Sequence, residues 1–157
     1  MLSIRPAQAD DVSAVLGLIR ELAEFEKLEV KNSEDVLLRD GFGASPKFRV
    51  LIAEWDDQLA GYAFFFPFYS TFAGPGMFLE DLFVRSQFRG KNIGSRLLSN
   101  VAAIAVGEGC VAMRWQVLDW NQPAIDFYKE LDADFLDEWR TVSLSGEPLR
   151  RAAGGAA

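Results

Sequence analysis

A chain of 157 residues, half of them hydrophobic and 13 of them phenylalanine, has the length for one domain and the apolar content for a core without staples. Its single cysteine, Cys110, excludes an internal disulfide and a cysteine-cluster metal site; the lack of any histidine removes imidazole bases, Ser-His-Asp and Cys-His nucleophiles and His-ligated zinc. A net charge of −7 argues against a nucleic-acid surface and suits a cationic small molecule. The first residues alternate and no run of about 18 apolar residues occurs, so neither a secretory leader nor a membrane span is expected and a cytoplasmic protein is.

Leu2 to Arg5 alternates and stops at Pro6, which predicts a short first strand. Asp10 or Asp11 can then cap a helix whose stripe is Val12, Val15, Leu16, Ile19, Leu22 and Ala23 and which runs to about Glu26. A shorter helix is expected from about Ser33 through Leu38, closing at Asp40-Gly41. Phe48 to Glu54 and Leu59 to Phe68 are β-rich and flank the turn Asp56-Asp57-Gln58, so they read as a hairpin. Tyr69 to Gly76, with Pro75 between glycines, reads as a loop.

Phe78 to Leu98 follows as a buried strand, a basic turn with glycines and the start of a helix. Simple alternation puts Phe78, Leu82 and Val84 on one side of that strand with Glu80, and Leu79 and Phe83 on the other with Asp81. The turn Gln87-Phe88-Arg89-Gly90-Lys91-Asn92-Ile93-Gly94 runs into a helix striped by Leu97, Leu98, Val101, Ile104 and Ala105. Unpaired amides and the positive end of the helix dipole make such a turn a place for phosphate; the plainer alternative is a helix cap with two flexible residues. Gly90 and Gly94 have three residues between them and Ser95 follows directly, so neither a Walker loop nor a dinucleotide fingerprint is present.

Val111 to Leu118 is predicted as a strand, and Asn121-Gln122-Pro123 opens a helix carrying Ile125, Phe127, Tyr128 and Leu131. Trp139 to Leu144 reads as a final strand, and Gly146 to Ala157 as a fraying tail beyond a single domain of residues 1–145. The alternation of strands and helices gives a mixed α/β fold.

Arg89-Gly90-Lys91-Asn92-Ile93-Gly94 resembles the Arg/Gln-x-x-Gly-x-Gly/Ala turn of the GNAT superfamily of acyl-CoA-dependent N-acetyltransferases. Leu79-Glu80-Asp81 before it and the stretch from Trp120 through Asn121-Gln122-Pro123 to Phe127-Tyr128-Lys129 after it are similar to the same family. With Ile4-Arg5-Pro6-Ala7, Glu21-Leu22-Ala23 and Asp40-Gly41-Phe42-Gly43, the likeness extends over most of the chain and points to the diamine (spermidine/spermine) and thialysine branch. It implies a GNAT fold, a mixed central sheet with splayed middle strands flanked by helices. Acetyl-CoA is implied as co-substrate, with no metal, and a small primary amine as acceptor in a homodimer that contacts neither nucleic acid nor membrane.

The resemblance also implies roles. Main-chain amides of Arg89, Gly90, Lys91, Asn92, Ile93, Gly94 and Ser95 hold the CoA pyrophosphate, the backbone of Leu82, Phe83 and Val84 pairs with the pantetheine arm, and Asn121 and Ala124 line that arm. Tyr128 stands near the thioester sulfur, and Phe25 and Glu26 fall in the amine-binding segment. Asn92 stands where glycine is usual, and Asp132 where glycine usually follows the Phe-Tyr-Lys helix.

An alkylammonium with pKa about 10.4 must lose a proton before attacking, at a cost of roughly 4–5 kcal/mol at neutral pH. With no histidine, Glu80 is the leading base, directly or through water, or an amine binder; the structural alternative is a carboxylate pinned by backbone amides or arginine. Tyr128 either protonates the departing thiolate or supports it with a hydrogen bond. Glu26 can meet a distal ammonium or simply end a helix in solvent. Arg114 repels a polycation and suits an acceptor with a carboxylate. Rival readings are acetylation of a protein or peptide amine, with an acceptor groove at Tyr69 to Gly76, and a non-catalytic acyl-CoA sensor.

Overall fold

Apolar runs such as Val50 to Ala53, whose successive residues point to opposite faces, build a largely antiparallel sheet that is buried on both faces. The computed structural model describes residues 1–155, in two units, Met1 to Gln116 and Val117 onward. In the first unit β1 (Leu2–Pro6), β2 (Arg49–Trp55), β3 (Gln58–Ser70), β4 (Gly74–Val84) and β5 (Ala112–Arg114) lie side by side in chain order. The first three pairings are antiparallel and β4–β5 is parallel, crossed by α3 (Ile93–Gly107). Asp56 and Asp57, at φ of 47° and 62°, make the tight β2–β3 connection, whose left-handed backbone matches the twist of the strands.

One face of the sheet carries α1 (Val12–Glu26) and α2 (Glu34–Phe42); the other carries α3. Val50, Ile52 and Tyr62 pack with Val12, Val15, Leu16 and Leu37, while Leu51, Ala53, Ala63 and Phe65 pack with Ile93, Leu97, Val101 and Ala105. The helix α3 buries residues spaced by four, as one stripe requires. Ser33 caps α2 by accepting the Val36 amide at 3.3 Å, and the helix continues to Phe42, past the expected stop at Asp40-Gly41. Gly61 is required by closeness: a Cβ there would lie 2.3 Å from the Phe83 carbonyl oxygen.

The segment Tyr69 to Gly76 is not a loop. Strand β3 runs to Ser70 and β4 starts at Gly74, with Pro67 through Ser70 paired to Gly74 through Met77, because the backbone ladder extends past the glycines that suggested a break. The strand predicted over Val111 to Leu118 is reduced to Ala112–Arg114, paired only with Gly76–Phe78. The β4–β5 ladder ends at Phe78 and Arg114, so the two strands part there while β4 runs on to Val84. This is the splayed mixed sheet that the sequence implied.

In the second unit, α4 (Gln122–Glu130) is capped by Asn121, whose Oδ1 accepts the Ala124 amide at 3.4 Å. Asp132 takes the left-handed conformation, φ 58°, and its amide reaches Lys129 O at 3.0 Å, so it closes the helix as a glycine would. Trp139 to Leu144 does not form a strand: none of its residues lies in a ladder, and Trp139 and Val142 are 75% and 90% exposed. Its β-rich composition states a packing preference, which becomes a strand only where a neighbouring strand supplies a ladder. Part of the expected fraying tail is instead α5 (Gly146–Ala152), where Glu147 pairs with Arg150 and Arg151 one turn later. The last two residues of that predicted tail, 156 and 157, lie outside the described residues.

Candidate active site

The site begins with an irregularity in β4. Phe64 pairs with Asp81 but its neighbour Phe65 pairs with Leu79, so Glu80 is an extra residue in the ladder, a β-bulge. The bulge resets the alternation. Met77 and Leu79 pack on the α3 face together with Leu82 and Val84, while Phe83 joins the α1–α2 face, where Phe78 stacks with Phe66. The expected division, with Leu79 beside Asp81 and Glu80 on the opposite side, is therefore corrected. Glu80 and Asp81 line one cavity of about 430 Å³ on the α1–α2 face, with Ile19, Asn32, Leu37, Phe64 and Phe66.

Asp81 accepts the Tyr62 hydroxyl at 2.8 Å, and that bond favours its charged form. Burial outweighs the bond, so the carboxyl sits above the ordinary aspartate range. Glu80 keeps solvent exposure, yet the surrounding protein first and the Asp81 charge second raise it as well. Glu26, in the last turn of α1, is raised by burial and then by Asp81 and Glu80, which brings it into the same electrostatic cluster. Tyr62 is pushed far up, by burial and then by Asp81, and remains a phenol that donates. Three crowded carboxylates against apolar walls favour a cation that can neutralise them.

At the far end of β4 lies the turn. Gly90 and Asn92 both adopt left-handed backbone, φ 77° and 59°. Asparagine tolerates that region better than other side-chain-bearing residues. Arg96 is the first residue of α3 whose amide returns to the chain before the helix, reaching Asn92 O at 3.0 Å, so the preceding amides project from the helix end. With the helix dipole they form a cradle that fits a pyrophosphate. The backbone of β4 beyond Phe78, where its ladder with β5 ends, likewise fits an amide-bearing arm.

The other predicted residues are distributed as follows. Arg89 sends Nε to Val84 O at 3.1 Å and lays its guanidinium over the Phe25 ring at 5.4 Å, so Phe25 faces the turn. Lys91 lies over Trp55 at 4.6 Å, and Arg114, exposed on β5, stacks over Phe68 at 4.9 Å. In the second unit Tyr128 is buried, its ring 5.4 Å from Phe127, one turn after Ala124 at the capped start of α4. Sequence reasoning missed Asn32, Phe64 and Phe66 as cavity residues and Tyr62 as the partner of Asp81, and it misplaced Asp81. Two adjacent carboxylates in an apolar strand were the available signal, since only a bulge lets both avoid the core.

The model of the acetyltransferase (GNAT) family matches residues 16–133. Thialysine N-epsilon-acetyltransferase of Sus scrofa is 42% identical over 164 residues, covering 96% of both chains. Spermidine/spermine N(1)-acetyltransferase-like protein 1 of Homo sapiens is 34% identical over 93% of this chain and 23% of its own length. An integron cassette protein from the mobile metagenome of V. cholerae superposes with a TM-score of 0.80 at 25% identity, over 97% of each chain. A glycine turn at the start of α3, a sheet that opens beyond Phe78 and a match over most of the sequence agree: the chain belongs to the GNAT family of acetyltransferases.

Proposed function

We propose that this acetyltransferase moves the acetyl group of acetyl-CoA onto the primary amine of a small molecule, a diamine or a thialysine-like amino acid, by direct attack in a ternary complex. The observation that carries the reading is the bulge at Glu80, which gives one cavity two carboxylates and apolar walls. Similarity to thialysine and spermidine/spermine enzymes supports the same acceptor class.

Acetyl-CoA supplies an activated carbonyl and a thiolate leaving group; this chain's residues supply the rest. Main-chain amides from Gly90 to Ser95 hold the pyrophosphate, with Arg89, whose own amide donates to Ser86 O at 3.2 Å, leading into them; the backbone of Leu82, Phe83 and Val84 meets the pantetheine arm, and Asn121 and Ala124 line it. Asp81 and Glu26 attract the ammonium, and Glu80 takes its proton, directly or through one water. A carboxyl raised by its surroundings is a stronger base than a free one, which reduces the gap to an amine of pKa about 10.4. The amine nitrogen then forms the amide bond as the carbon–sulfur bond breaks. Tyr128 donates a hydrogen bond to the departing sulfur, and the second proton that the nitrogen sheds on becoming an amide passes to that sulfur, which leaves as the thiol. Arg114 recognises the carboxylate of an amino-acid acceptor, and a cytoplasmic homodimer is the working form.

Thiol release from acetyl-CoA, measured against spermidine, putrescine, thialysine, lysine and a basic peptide, tests this. Release with one small amine is expected. Release with the peptide alone, or silence across the panel while CoA binds, contradicts it.

A further inference from the structure

Glu21 and Arg85 belong to none of the roles above, yet they join the elements that the site depends on. Arg85 is the last residue before the short 3-10 turn Ser86–Phe88 that leads from β4 into the glycine turn. Its guanidinium grips Glu21 of α1 with both faces of the fork, Nη2 to Oε1 at 2.7 Å and Nε to Oε2 at 2.9 Å. Nη1 donates to Leu59 O at 2.9 Å, and the Arg85 amide donates to Ala60 O, also at 2.9 Å. One residue thus ties the end of β4 to a helix on one side and to β3 on another.

A second contact repeats the pattern. Phe25, one helical turn after Glu21, carries the guanidinium of Arg89, four residues after Arg85. Phe88 between them is buried in the α3-side core and its amide reaches Arg85 O at 2.9 Å. The chain entering the cradle is therefore fixed at its first residue by Arg85, at its fourth by the Phe88 plug and at its fifth by Arg89. The bidentate pair is the strongest of these, since planar fork geometry sets direction as well as distance.

We propose that Glu21 and Arg85 are positioning residues for the anion cradle: by holding the start of the β4–α3 turn they set its affinity for the CoA pyrophosphate without touching it. This rests on the acetyl-CoA reading above. Positioning and simple charge make opposite predictions at Glu21. Removing its negative charge leaves Arg85 unneutralised beside an anion site, so electrostatics alone strengthens CoA binding, whereas loss of position weakens it.

The test is calorimetric titration of CoA into the full chain and its Glu21→Gln, Arg85→Gln, Arg85→Lys and doubly substituted (Glu21→Gln, Arg85→Gln) variants, with KM for acetyl-CoA and for the amine read alongside. Each single change is expected to weaken CoA binding roughly tenfold, the size of a lost hydrogen-bonded charge pair. The double variant is expected to be no weaker than the worse single one, since both remove one interaction. Acetyl-CoA KM rises with it and amine KM stays. Arg85→Lys keeps the charge but not the fork, so it should resemble Arg85→Gln. Unchanged or tighter CoA binding by Glu21→Gln, wild-type binding by Arg85→Lys, or a loss of thermal stability with unchanged affinity overturns the assignment. Glu21 is 40% exposed, so its near-isosteric replacement leaves no cavity and decides the matter even if an Arg85 variant unfolds. Failure of the wild type to bind CoA overturns the acetyl-CoA reading itself, an outcome distinct from all of these.

Discussion

Asp81 carries opposing demands. Its bond from Tyr62 favours ionisation, burial disfavours it more, and Glu80 and Glu26 stand close enough to be raised by its charge. A carboxyl held above its ordinary value binds a proton more readily in the folded chain than in the unfolded one. Its stabilising contribution is then complete at low pH and is lost as pH rises through the folded-state value. At neutral pH the ionised group costs stability, a cost that the proposed binding of a cation offsets. Asp81→Asn keeps an oxygen for Tyr62 and removes the charge. It should raise stability by roughly 1 kcal/mol at neutral pH, with the advantage fading on acidification, while amine KM rises about tenfold. Urea unfolding at two pH values and steady-state kinetics check both halves; a variant less stable than wild type at neutral pH contradicts this account of the cluster.

Among the elements, the turn before α3 was the most legible in the sequence. Glycines, a basic residue and an apolar stripe at helical spacing each state a local backbone requirement, and Gly90 and Asn92 meet it in the left-handed region. The bulge was not legible, because alternation assumes one residue per rung and nothing local marks where a rung is skipped. One slipped position moved Asp81 from the expected side opposite Glu80 into the same cavity. Trp139 to Leu144 failed for a related reason: strand formation depends on a partner, which composition does not supply. Asn92 offers a direct check on the turn. Asn92→Ala should cost roughly 1 kcal/mol, the penalty of a β-carbon in left-handed backbone, and weaken CoA binding, while Asn92→Gly does neither. Equal stability and affinity for the two variants contradicts that reading of the cradle.

Across the molecule, one strand and one helix connect the two halves of the chemistry. Strand β4 bears Glu80 and Asp81, proposed to meet the acceptor, and ends at the turn proposed to hold the donor, while α1 supplies Glu26 to the carboxylate cluster and Glu21 to Arg85. A chain of net charge −7 attracts a cationic acceptor over long range, and only the local amides and dipole of the turn recover an anion site against that background. The central claim is that Glu80 receives the proton of the amine. Its most direct test is the pH dependence of kcat with saturating acetyl-CoA and amine, for wild type and Glu80→Gln. The account predicts an acid limb in the wild type, set by a carboxyl above the usual glutamate value of about 4.3. It predicts that Glu80→Gln lacks this limb and turns over roughly 10²-fold more slowly, with CoA affinity retained. The same acid limb and the same turnover in both proteins would show that the proton leaves by another route.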